Sequence, residues 1–466
     1  MAKRKKKTIL RNLTIDDFAA EGKSIARKDG LVIFVRNAVA GDVVDVLITK
    51  KKKDYYEGVP IKFHTYSKLR TEPKCKHFGI CGGCKWQNVS YQEQLKFKHK
   101  QVVEQIKRIG KIEPREVLPI IASDHIFYYR NKLEFTFSSR RWFVEQYEFE
   151  KIKTSKALGY HVPGMYDRVL DIEECLLQQE PSNKIRNELK KFAIDNKISF
   201  YDSRTHKGFL RNLIIRNNTQ GEFMVIVIFA REEPELQETI LDFIKQTFSQ
   251  VVSIYYIINP KLNDSYADLE AHHYYGKKFL IENIDDLQFR IGAKSFFQTN
   301  TYQARKLYAK AKEFASISQT DVVYDLYTGT GTIALYLAKS AAKVIGIEII
   351  PDAVSDAIEN AKLNNIENVE FIVGDVKDIL SEEWLKAYPL PDVIMLDPPR
   401  AGVHKDVLRV IKEIKPSRIV YISCNPATQA RDINILSDEY VLEKIQPVDM
   451  FPHTHHIENI ALLKLR

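Results

Sequence analysis

Cysteine is scarce in this sequence: the 466 residues include only Cys75, Cys81, Cys84, Cys175 and Cys424. An odd, sparse set in a chain of this size argues against a disulfide framework and for metal binding or catalysis. Long apolar runs are also missing, since the longest, 223–230, is far below the roughly 20 residues of a membrane span. The basic start lacks the apolar core of a signal peptide, so we expect a cytoplasmic protein without membrane contact.

An excess of acidic residues is absent as well, because the formal net charge is +9 at pH 7. A basic balance favours a polyanionic partner such as nucleic acid. The hydrophobic content of 44% excludes a disordered chain. A chain of this length is too long for one core, and we expect roughly two to four domains in a monomer.

The first 70 residues read as short alternating strands, for example 31–35 and 43–48. Such spacing is typical of a small β-barrel. Basic residues at 3–7 and 50–53 flank the segment. A charge run alone is most often a solvated face, but on a small barrel in a basic protein it favours RNA binding.

Three cysteines lie within the ten residues from Cys75 to Cys84, next to glycines that let the backbone curl. This pattern indicates a metal site. A zinc site normally has two paired Cys or His elements, whereas here the remaining thiol outside the last sheet is the distant Cys175. The spacing favours a four-cysteine [4Fe–4S] site, with zinc as the alternative.

The rest of the chain alternates helices and strands. Residues 91–110 predict a helix, and 120–270 predict an α+β region with strands at 127–137, 210–216 and 222–229 and a helix at 233–248. From about 276 onwards, strands and helices alternate as in a doubly wound α/β sheet, which binds ligands at the carboxyl ends of its strands. The predicted strands there are 322–325, 343–348, 369–373, 392–396 and 418–422, followed by an antiparallel hairpin of 440–446 and 457–465.

The loop after strand 322–325 contains Gly329-x-Gly331-x-x-Ala334, which fits a dinucleotide-binding pattern only weakly. Asp325 ends the strand directly before this loop, where methyltransferases have an acid. Asp397-Pro-Pro-Arg400 ends the fourth strand, and the prolines hold Asp397 forward because residues before proline avoid the helical region. These two features favour S-adenosylmethionine over NAD.

Cys424 follows strand 418–422 and precedes a helix that Asn425 and Pro426 begin. The positive end of the helix dipole would favour a reactive thiolate, although an isolated cysteine is often an inert buried side chain. A uracil substrate would explain the thiol, because addition of a thiolate at C6 makes the poorly nucleophilic C5 reactive. Glu458, at the start of the last strand, could then remove the C5 proton.

Several motifs together resemble the RNA uracil-5-methyltransferase family, and within it the iron–sulfur 23S rRNA branch with a TRAM domain. They are Cys75-x5-Cys81-Gly-Gly-Cys84, Phe296-Phe-Gln298, Asp325-Leu-Tyr-Thr-Gly329, Asp397-Pro-Pro-Arg400, Ser423-Cys-Asn-Pro426 and Phe451-Pro-His-Thr-x-x-x-Glu458. The resemblance implies an OB-like TRAM β-barrel at 1–69, an α+β iron–sulfur domain at 70–270 and a Rossmann-like class I methyltransferase domain at 271–466. Where the family usually has Cys-Gly, this chain has Thr328-Gly329.

Carried over by position, the resemblance makes Cys424 the nucleophile and Glu458 the proton acceptor. It implies that Gln298, Tyr327, Glu348 and Asp397 line the S-adenosylmethionine and uracil pocket, with Glu348 on the ribose and Asp375 near the adenine. The [4Fe–4S] ligands would be Cys75, Cys81, Cys84 and Cys175.

The expected activity is that of a 23S rRNA (uracil-C5)-methyltransferase acting on a flipped uridine in locally unpaired RNA. Two alternatives remain open at this point. One is a tRNA uracil-5-methyltransferase, although such a relative typically lacks barrel and cluster. The other is an RNA-binding or ribosome assembly factor without catalysis.

Overall fold

The computed structural model describes residues 8–144 and 154–466. Three large sheets and a two-stranded hairpin follow one another along these residues. The basic run at 3–7 lies outside the described residues. Within the described ranges, no helix has the length and apolar character needed to cross a membrane.

The N-terminal sheet has six strands. They are β1 Ile9–Thr14, β2 Asp17–Phe18, β3 Ser24–Lys28, β4 Leu31–Val35, β5 Val43–Lys51 and β6 Tyr55–Thr65. The order is β1-β5-β6-β4-β3-β2, and β1 also contacts β3, so the sheet curls around a small apolar core. The strands predicted at 31–35 and 43–48 are confirmed, and the second continues to Lys51.

Helix α1 Tyr91–Arg108 and the short strand β7 Glu116–Val117 follow the cysteine-rich loop. The buried residues of α1 are Gln94, Lys98, Val102 and Ile106, one stripe at i, i+4 spacing. Helix α1 packs against a helix and a strand in the C-terminal half of the chain rather than against the central sheet. Strand β7 likewise pairs with a strand near the C-terminus.

Over the described residues 132–144 and 154–276, the central sheet has eight strands and is accompanied by two helices. Its elements are β8 Lys132–Ser138, β9 Arg141–Trp142, β10 Ala157–His161, β11 Val169–Asp171, α2 Ser182–Asp195, β12 Leu210–Asn217, β13 Phe223–Phe229, α3 Pro234–Thr247, β14 Val251–Ile258 and β15 His272–Gly276. The order is β15-β14-β13-β12-β8-β10-β11-β9. The two helices contact each other and share one apolar core with the sheet.

The strand predicted at 127–137 is wrong in its first half, since β8 begins only at Lys132. Tyr128 has a positive φ of 55°, a conformation that does not occur within a regular strand. The backbone nitrogens of Tyr128 and Arg130 donate to the carbonyls of Leu176 and Leu177, so this stretch instead packs alongside the segment that carries Cys175.

The C-terminal part begins with a hairpin and continues as the catalytic sheet. Its strands are β16 Leu280–Ile284, β17 Leu287–Ile291, β18 Val322–Leu326, β19 Lys343–Glu348, β20 Val369–Val373, β21 Val393–Leu396, β22 Arg418–Ser423, β23 Tyr440–Val448 and β24 Glu458–Leu465. Its helices are α4 Thr301–Ala315, α5 Thr332–Ala338, α6 Pro351–Leu363, α7 Val376–Ile379, α8 Glu382–Ala387, α9 Lys405–Ile414 and α10 Pro426–Leu436.

The catalytic sheet has the order β20-β19-β18-β21-β22-β24-β23-β7. The five strands from β20 to β22 are parallel, whereas β24 is antiparallel to β22 and β23. The predicted doubly wound sheet and its C-terminal hairpin are therefore confirmed. The strand order reverses between β18 and β21, and this switch point is where such sheets bind ligands.

Candidate active site

The cleft at the switch point begins with the loop after β18. Tyr327 and Gly331 adopt left-handed conformations, with φ of 69° and 78°. A Cβ atom at Gly331 would lie 2.7 Å from the ring of Phe371 and 2.9 Å from Cβ of Ala357. Glycine is therefore required there for the loop to approach β20 and α6 closely.

Asp325 lies beneath this loop and is fully buried. Its Oδ2 accepts hydrogen bonds from the Thr328 hydroxyl at 2.5 Å and the Ala334 nitrogen at 3.0 Å, while its Oδ1 has no partner. Burial raises the pKa of Asp325 to about 7. A buried carboxylate oxygen without a partner fits the cationic amino group of S-adenosylmethionine, which would satisfy both its hydrogen bond and its charge.

Glu348 ends β19 on the other side of the loop and is half-buried. Its two carboxylate oxygens accept hydrogen bonds from the backbone nitrogens of Gly329 at 3.1 Å and Ile350 at 3.0 Å. Burial also raises the pKa of the half-buried Tyr327 to about 12, which keeps its hydroxyl protonated. Asp375 caps α7 by accepting from the Lys377 nitrogen, and its neighbour Gly374 is hydrogen-bonded to the Glu348 carbonyl.

Gln298 lies in the loop between β17 and α4. The side-chain nitrogen of Asn131 donates to the Gln298 carbonyl at 2.9 Å, and the Asn131 backbone nitrogen donates to the carbonyl of Thr299. The central domain thus fixes the backbone of a loop in the catalytic half of the chain. Asn131 was not recognised in the sequence, because an Asn before a strand has no distinctive pattern.

Cys424 occupies the turn between β22 and α10 and is half-buried. Asn425 caps α10 by accepting from the Ala427 nitrogen at 3.2 Å. Its side-chain nitrogen also donates to the carbonyl of Arg400 at 3.1 Å, as does the Thr428 hydroxyl at 3.2 Å. The Asp397-Pro-Pro-Arg400 loop is therefore tied directly to the turn that carries the thiol.

Glu458 is the first residue of β24 and is buried. Strand β22 ends with the antiparallel pair of Ser423 and Asn459, and Cys424 and Glu458 are the residues next to this pair in the chain. The charge of Glu458 acts on the Cys424 thiol. Burial raises the pKa of Glu458 well above its usual value; the charge of Asp397 adds to this effect and Arg400 opposes it. The pKa of the half-buried Asp397 is likewise raised to about 7, by burial and by the charge of Asp325.

The expected stabilisation of a Cys424 thiolate by the helix end is wrong for this structure. Burial, followed by the negative charge of Glu458, raises the pKa of Cys424 to about 11. Arg400 lowers it but does not prevail. The loss of hydration outweighs the helix dipole, whose effect is typically worth only about 0.3–1 kcal/mol.

The four remaining cysteines line one cavity of about 350 Å³, here called the thiol cavity. Its two chain segments are joined, because the Glu173 nitrogen donates to Nε2 of His77 at 3.1 Å. Gln87 donates to Sγ of Cys84 at 3.3 Å, and the Gly83 nitrogen to Sγ of Cys81 at 3.5 Å. Among the described residues, no three His, Cys, Asp or Glu side chains are arranged to hold a single metal ion.

Each thiol of the thiol cavity has a raised pKa, with burial as the largest cause. The pKa reaches about 11 for Cys81 and about 12 for Cys84, and the neighbouring thiols add to both shifts. Arg130 and Arg186 lower the pKa of Cys175, and each has a buried guanidinium nitrogen without a hydrogen-bond partner. The cavity and its surroundings thus combine four thiols with two arginines, each of which has a guanidinium nitrogen without a hydrogen-bond partner.

The segment 449–457, here called the tail segment, connects β23 to Glu458. It makes buried polar contacts that could not be recognised from the sequence. Lys98 and Asp449 form a fully buried ion pair with 2.6 Å between Nζ and Oδ1. The hydroxyl of Tyr91 donates to the other oxygen of Asp449 at 2.9 Å. In the sequence, the only sign of these contacts is that the first two residues of the α1 stripe, Gln94 and Lys98, are polar. Polar residues on a helix are normally solvent-exposed.

The fold and cleft define an S-adenosylmethionine-dependent methyltransferase. The family model described as tRNA (Uracil-5-)-methyltransferase matches residues 219–466, and the TRAM domain model matches residues 10–61. The chain belongs to the tRNA (uracil-5-)-methyltransferase family and has a TRAM domain at its N-terminal end.

Two relatives extend over nearly the whole chain. A Bacteroides thetaiotaomicron protein described as an uncharacterized RNA methyltransferase is 50% identical over 453 residues, covering 96% of this chain and 100% of that protein. A Porphyromonas gingivalis protein with the same description is 45% identical over 461 residues, covering 97% and 99%.

One solved structure is similar over the same extent. The crystal structure of Pyrococcus abyssi tRNA (uracil-54, C5)-methyltransferase in complex with S-adenosyl-L-homocysteine is 29% identical to this chain. The TM-score is 0.75, and the alignment covers 97% of this chain and 99% of that one.

Proposed function

We propose that this protein transfers the methyl group of S-adenosylmethionine to C5 of a specific uridine in 23S rRNA, in the cytoplasm. The observation that carries the proposal is the convergence of Cys424, Asp397 and Glu458 at one edge of the catalytic sheet. A methyltransferase that modifies an exocyclic amine needs no nucleophile. A cysteine with a carboxylate opposite it is what methylation of a carbon such as uracil C5 requires.

In the proposed reaction, the Cys424 thiolate adds to C6 of a flipped uracil and makes C5 nucleophilic. S-adenosylmethionine supplies the methyl group that C5 takes up. The carboxylate of Glu458 then accepts the C5 proton, the C–H electron pair re-forms the C5–C6 double bond, and the C6–S bond breaks to release the thiolate. The carboxylate of Asp397 faces the uracil and the methyl donor.

The same cleft contains the residues that would bind the cofactor. Asp325, with its unpartnered Oδ1, would hold the amino group of S-adenosylmethionine, and Glu348 the ribose hydroxyls. Gln298 and Tyr327 would complete the pocket. The Glu348 carboxylate now accepts hydrogen bonds from two backbone nitrogens. To bind the ribose, it would accept from the ribose hydroxyls in addition to these nitrogens or in their place.

The thiol cavity is proposed to hold a [4Fe–4S] cluster through Cys75, Cys81, Cys84 and Cys175. Four cysteines that line one cavity, N–H donors to two of their sulfurs, and unpartnered guanidinium nitrogens of Arg130 and Arg186 are consistent with the charge and size of such a cluster. Its role would be structural. Iron and acid-labile sulfide in anaerobically purified protein test this assignment, and zinc without sulfide would contradict it.

A tRNA substrate is the second candidate, and one observation favours it. The Pyrococcus abyssi tRNA enzyme aligns with 97% of this chain, so the N-terminal third does not by itself argue against tRNA.

Within the proposal, residues 1–69 and 70–270 position the RNA and 271–466 carry the chemistry. The segment with α1 and β7 is an exception, because it packs on the catalytic sheet.

The decisive experiment pairs two variants on unmodified 23S rRNA and bulk tRNA transcripts. Cys424→Ala should abolish methyl transfer while S-adenosylhomocysteine binds as before. Glu458→Gln should transfer the methyl group once and accumulate a protein–RNA adduct that survives a denaturing gel. Methylation of rRNA but not tRNA by the wild-type protein supports the proposed substrate, and full activity of Cys424→Ala refutes the covalent mechanism.

A further inference from the structure

A buried amide joins the cysteine-rich loop to the tail segment. Gln94 is fully buried on α1 and uses both ends of its side chain. Its Oε1 accepts from the His453 nitrogen at 2.9 Å, and its Nε2 lies 3.1 Å from Nδ1 of the same residue. Nε2 also donates to the carbonyls of Trp86 and Val89, each at 2.9 Å. One side chain therefore connects the loop after Cys84 to the loop before Glu458.

His453 has an unusual backbone that this contact helps to maintain. Its φ is 64°, in the left-handed region that non-glycine residues rarely adopt. Its carbonyl accepts hydrogen bonds from the nitrogens of Lys85 at 2.8 Å and Trp86 at 3.0 Å. A sparsely populated conformation persists only where its surroundings over-determine it, and here every backbone hydrogen-bonding group of His453 is engaged.

The ends of the tail segment are fixed in other ways. Lys98 binds Asp449 and also donates to the Phe451 carbonyl at 3.0 Å, while the hydroxyl of Tyr129 donates to the carbonyl of Pro452. Beyond His453, β24 begins at Glu458. Gln94 is thus the contact nearest to Glu458 that reaches the tail segment from α1.

We propose that Gln94 is a positioning residue for proton removal from C5: through His453 it holds the tail segment, and with it the Glu458 carboxylate, in place. This inference rests on the proposed function of Glu458. Glu458 accepts no proton during addition of the thiolate or transfer of the methyl group, whereas breakdown of the adduct requires it to accept the C5 proton. A displacement of about 1 Å can slow a step by roughly 100-fold, so losing Gln94 should delay only this breakdown.

The test compares Gln94→Leu with Gln92→Leu, a matched change at an exposed position on the same helix. Leucine fills a volume similar to that of glutamine but makes no hydrogen bond. Each variant is given the RNA that the wild-type protein methylates, and single-turnover methyl incorporation and adduct decay are measured. Gln94→Leu should incorporate methyl at the wild-type rate but release the adduct roughly 10- to 100-fold more slowly. Gln92→Leu should match the wild type in both.

A second pair of variants at His453 keeps the inference testable even if Gln94→Leu fails to fold. Asparagine tolerates the left-handed backbone and offers an acceptor to Gln94, whereas valine does neither. His453→Asn should therefore retain adduct release, and His453→Val should slow it. Equal release rates in this pair, or equal slowing of methyl transfer and release in Gln94→Leu, overturn the inference.

The outcome for Glu458→Gln separates this inference from the function on which it rests. If Glu458→Gln releases its adduct normally, the proposed role of Glu458 fails. If Glu458→Gln traps the adduct while Gln94→Leu behaves as the wild type, only the positioning role of Gln94 fails.

Discussion

Cys424 and Cys175, one of the thiols in the thiol cavity, are both half-buried but have different charged neighbours. Burial raises the pKa of Cys424 to about 11 and that of Cys84 to about 12. Around Cys424 the neighbouring charges are the carboxylates of Glu458 and Asp397, opposed by Arg400. Near Cys175 the neighbouring charges are instead two guanidinium groups, those of the buried Arg186 and of Arg130, which lines the thiol cavity.

The difference separates two ways of using sulfur. Permanent positive charge and N–H donors to sulfur suit thiolates that stay bound to a metal cluster. A thiol next to carboxylates is harder to ionise, and a nearby cation favours its thiolate. Under the proposed mechanism that cation would be the sulfonium of the methyl donor, whose binding would promote ionisation of Cys424.

The largest expected effect comes from replacing one cysteine sulfur by oxygen at each of the two sites. Cys84→Ser should lose most of the iron and sulfide, because a serine hydroxyl is a poor replacement for a cluster thiolate. Cys424→Ser should retain the metal but lower methyl transfer by roughly 1,000-fold or more, since the hydroxyl is the weaker nucleophile. Metal analysis and methyl incorporation are measured on both proteins. Loss of iron in Cys424→Ser would break the comparison.

A smaller effect is expected on the thiol itself. A cationic analogue with an amine in place of the sulfonium should lower the pKa of Cys424 by about one unit or more, because an added positive charge favours the thiolate. The pH dependence of Cys424 alkylation, followed by peptide mass spectrometry, reports this pKa. S-adenosylhomocysteine is the control, since it lacks the charge at sulfur, and an equal shift with both ligands would contradict the explanation.

The smallest effect concerns the buried carboxyl group of Asp325, which lies in the same cleft as Cys424. The pKa of Asp325 is about 7 in the folded protein and near 3.8 when unfolded, so its charge destabilises the ligand-free fold as pH rises through this interval. Relative to the wild type, Asp325→Asn should therefore be more stable at pH 8 than at pH 5, because the substitution removes this charge. Urea unfolding at both pH values measures the difference. A stabilisation that is independent of pH would point to a cause other than charge.

Much of the catalytic sheet could be predicted from the sequence because buried parallel strands are continuous apolar runs. Strands 343–348 and 369–373 agree with the structure residue for residue. The pairing of β23 with β24 is that of the predicted hairpin. The insertion of β24 next to β22, which brings Glu458 near Cys424, could not be predicted from it.

Other features depend on contacts that sequence patterns do not contain. The sign of the Cys424 pKa shift is set by burial and by Glu458, which tertiary structure alone brings close. Gln94 and Lys98 lie in a helix rich in Lys and Gln, a composition typical of a solvated surface, and their partners are more than 350 residues away. Tyr128 leaves the expected strand because its backbone pairs with Leu176.

The ion pair between Lys98 and Asp449 joins two residues that are synthesised at very different times. The two residues are 351 positions apart in the chain. At a synthesis rate of about 5–20 residues per second, Lys98 is made roughly 20 to 70 s before its partner. Helix α1 and strand β7 remain without their docking surface for at least that period. The buried contacts between α1 and the tail segment can therefore form only late in synthesis.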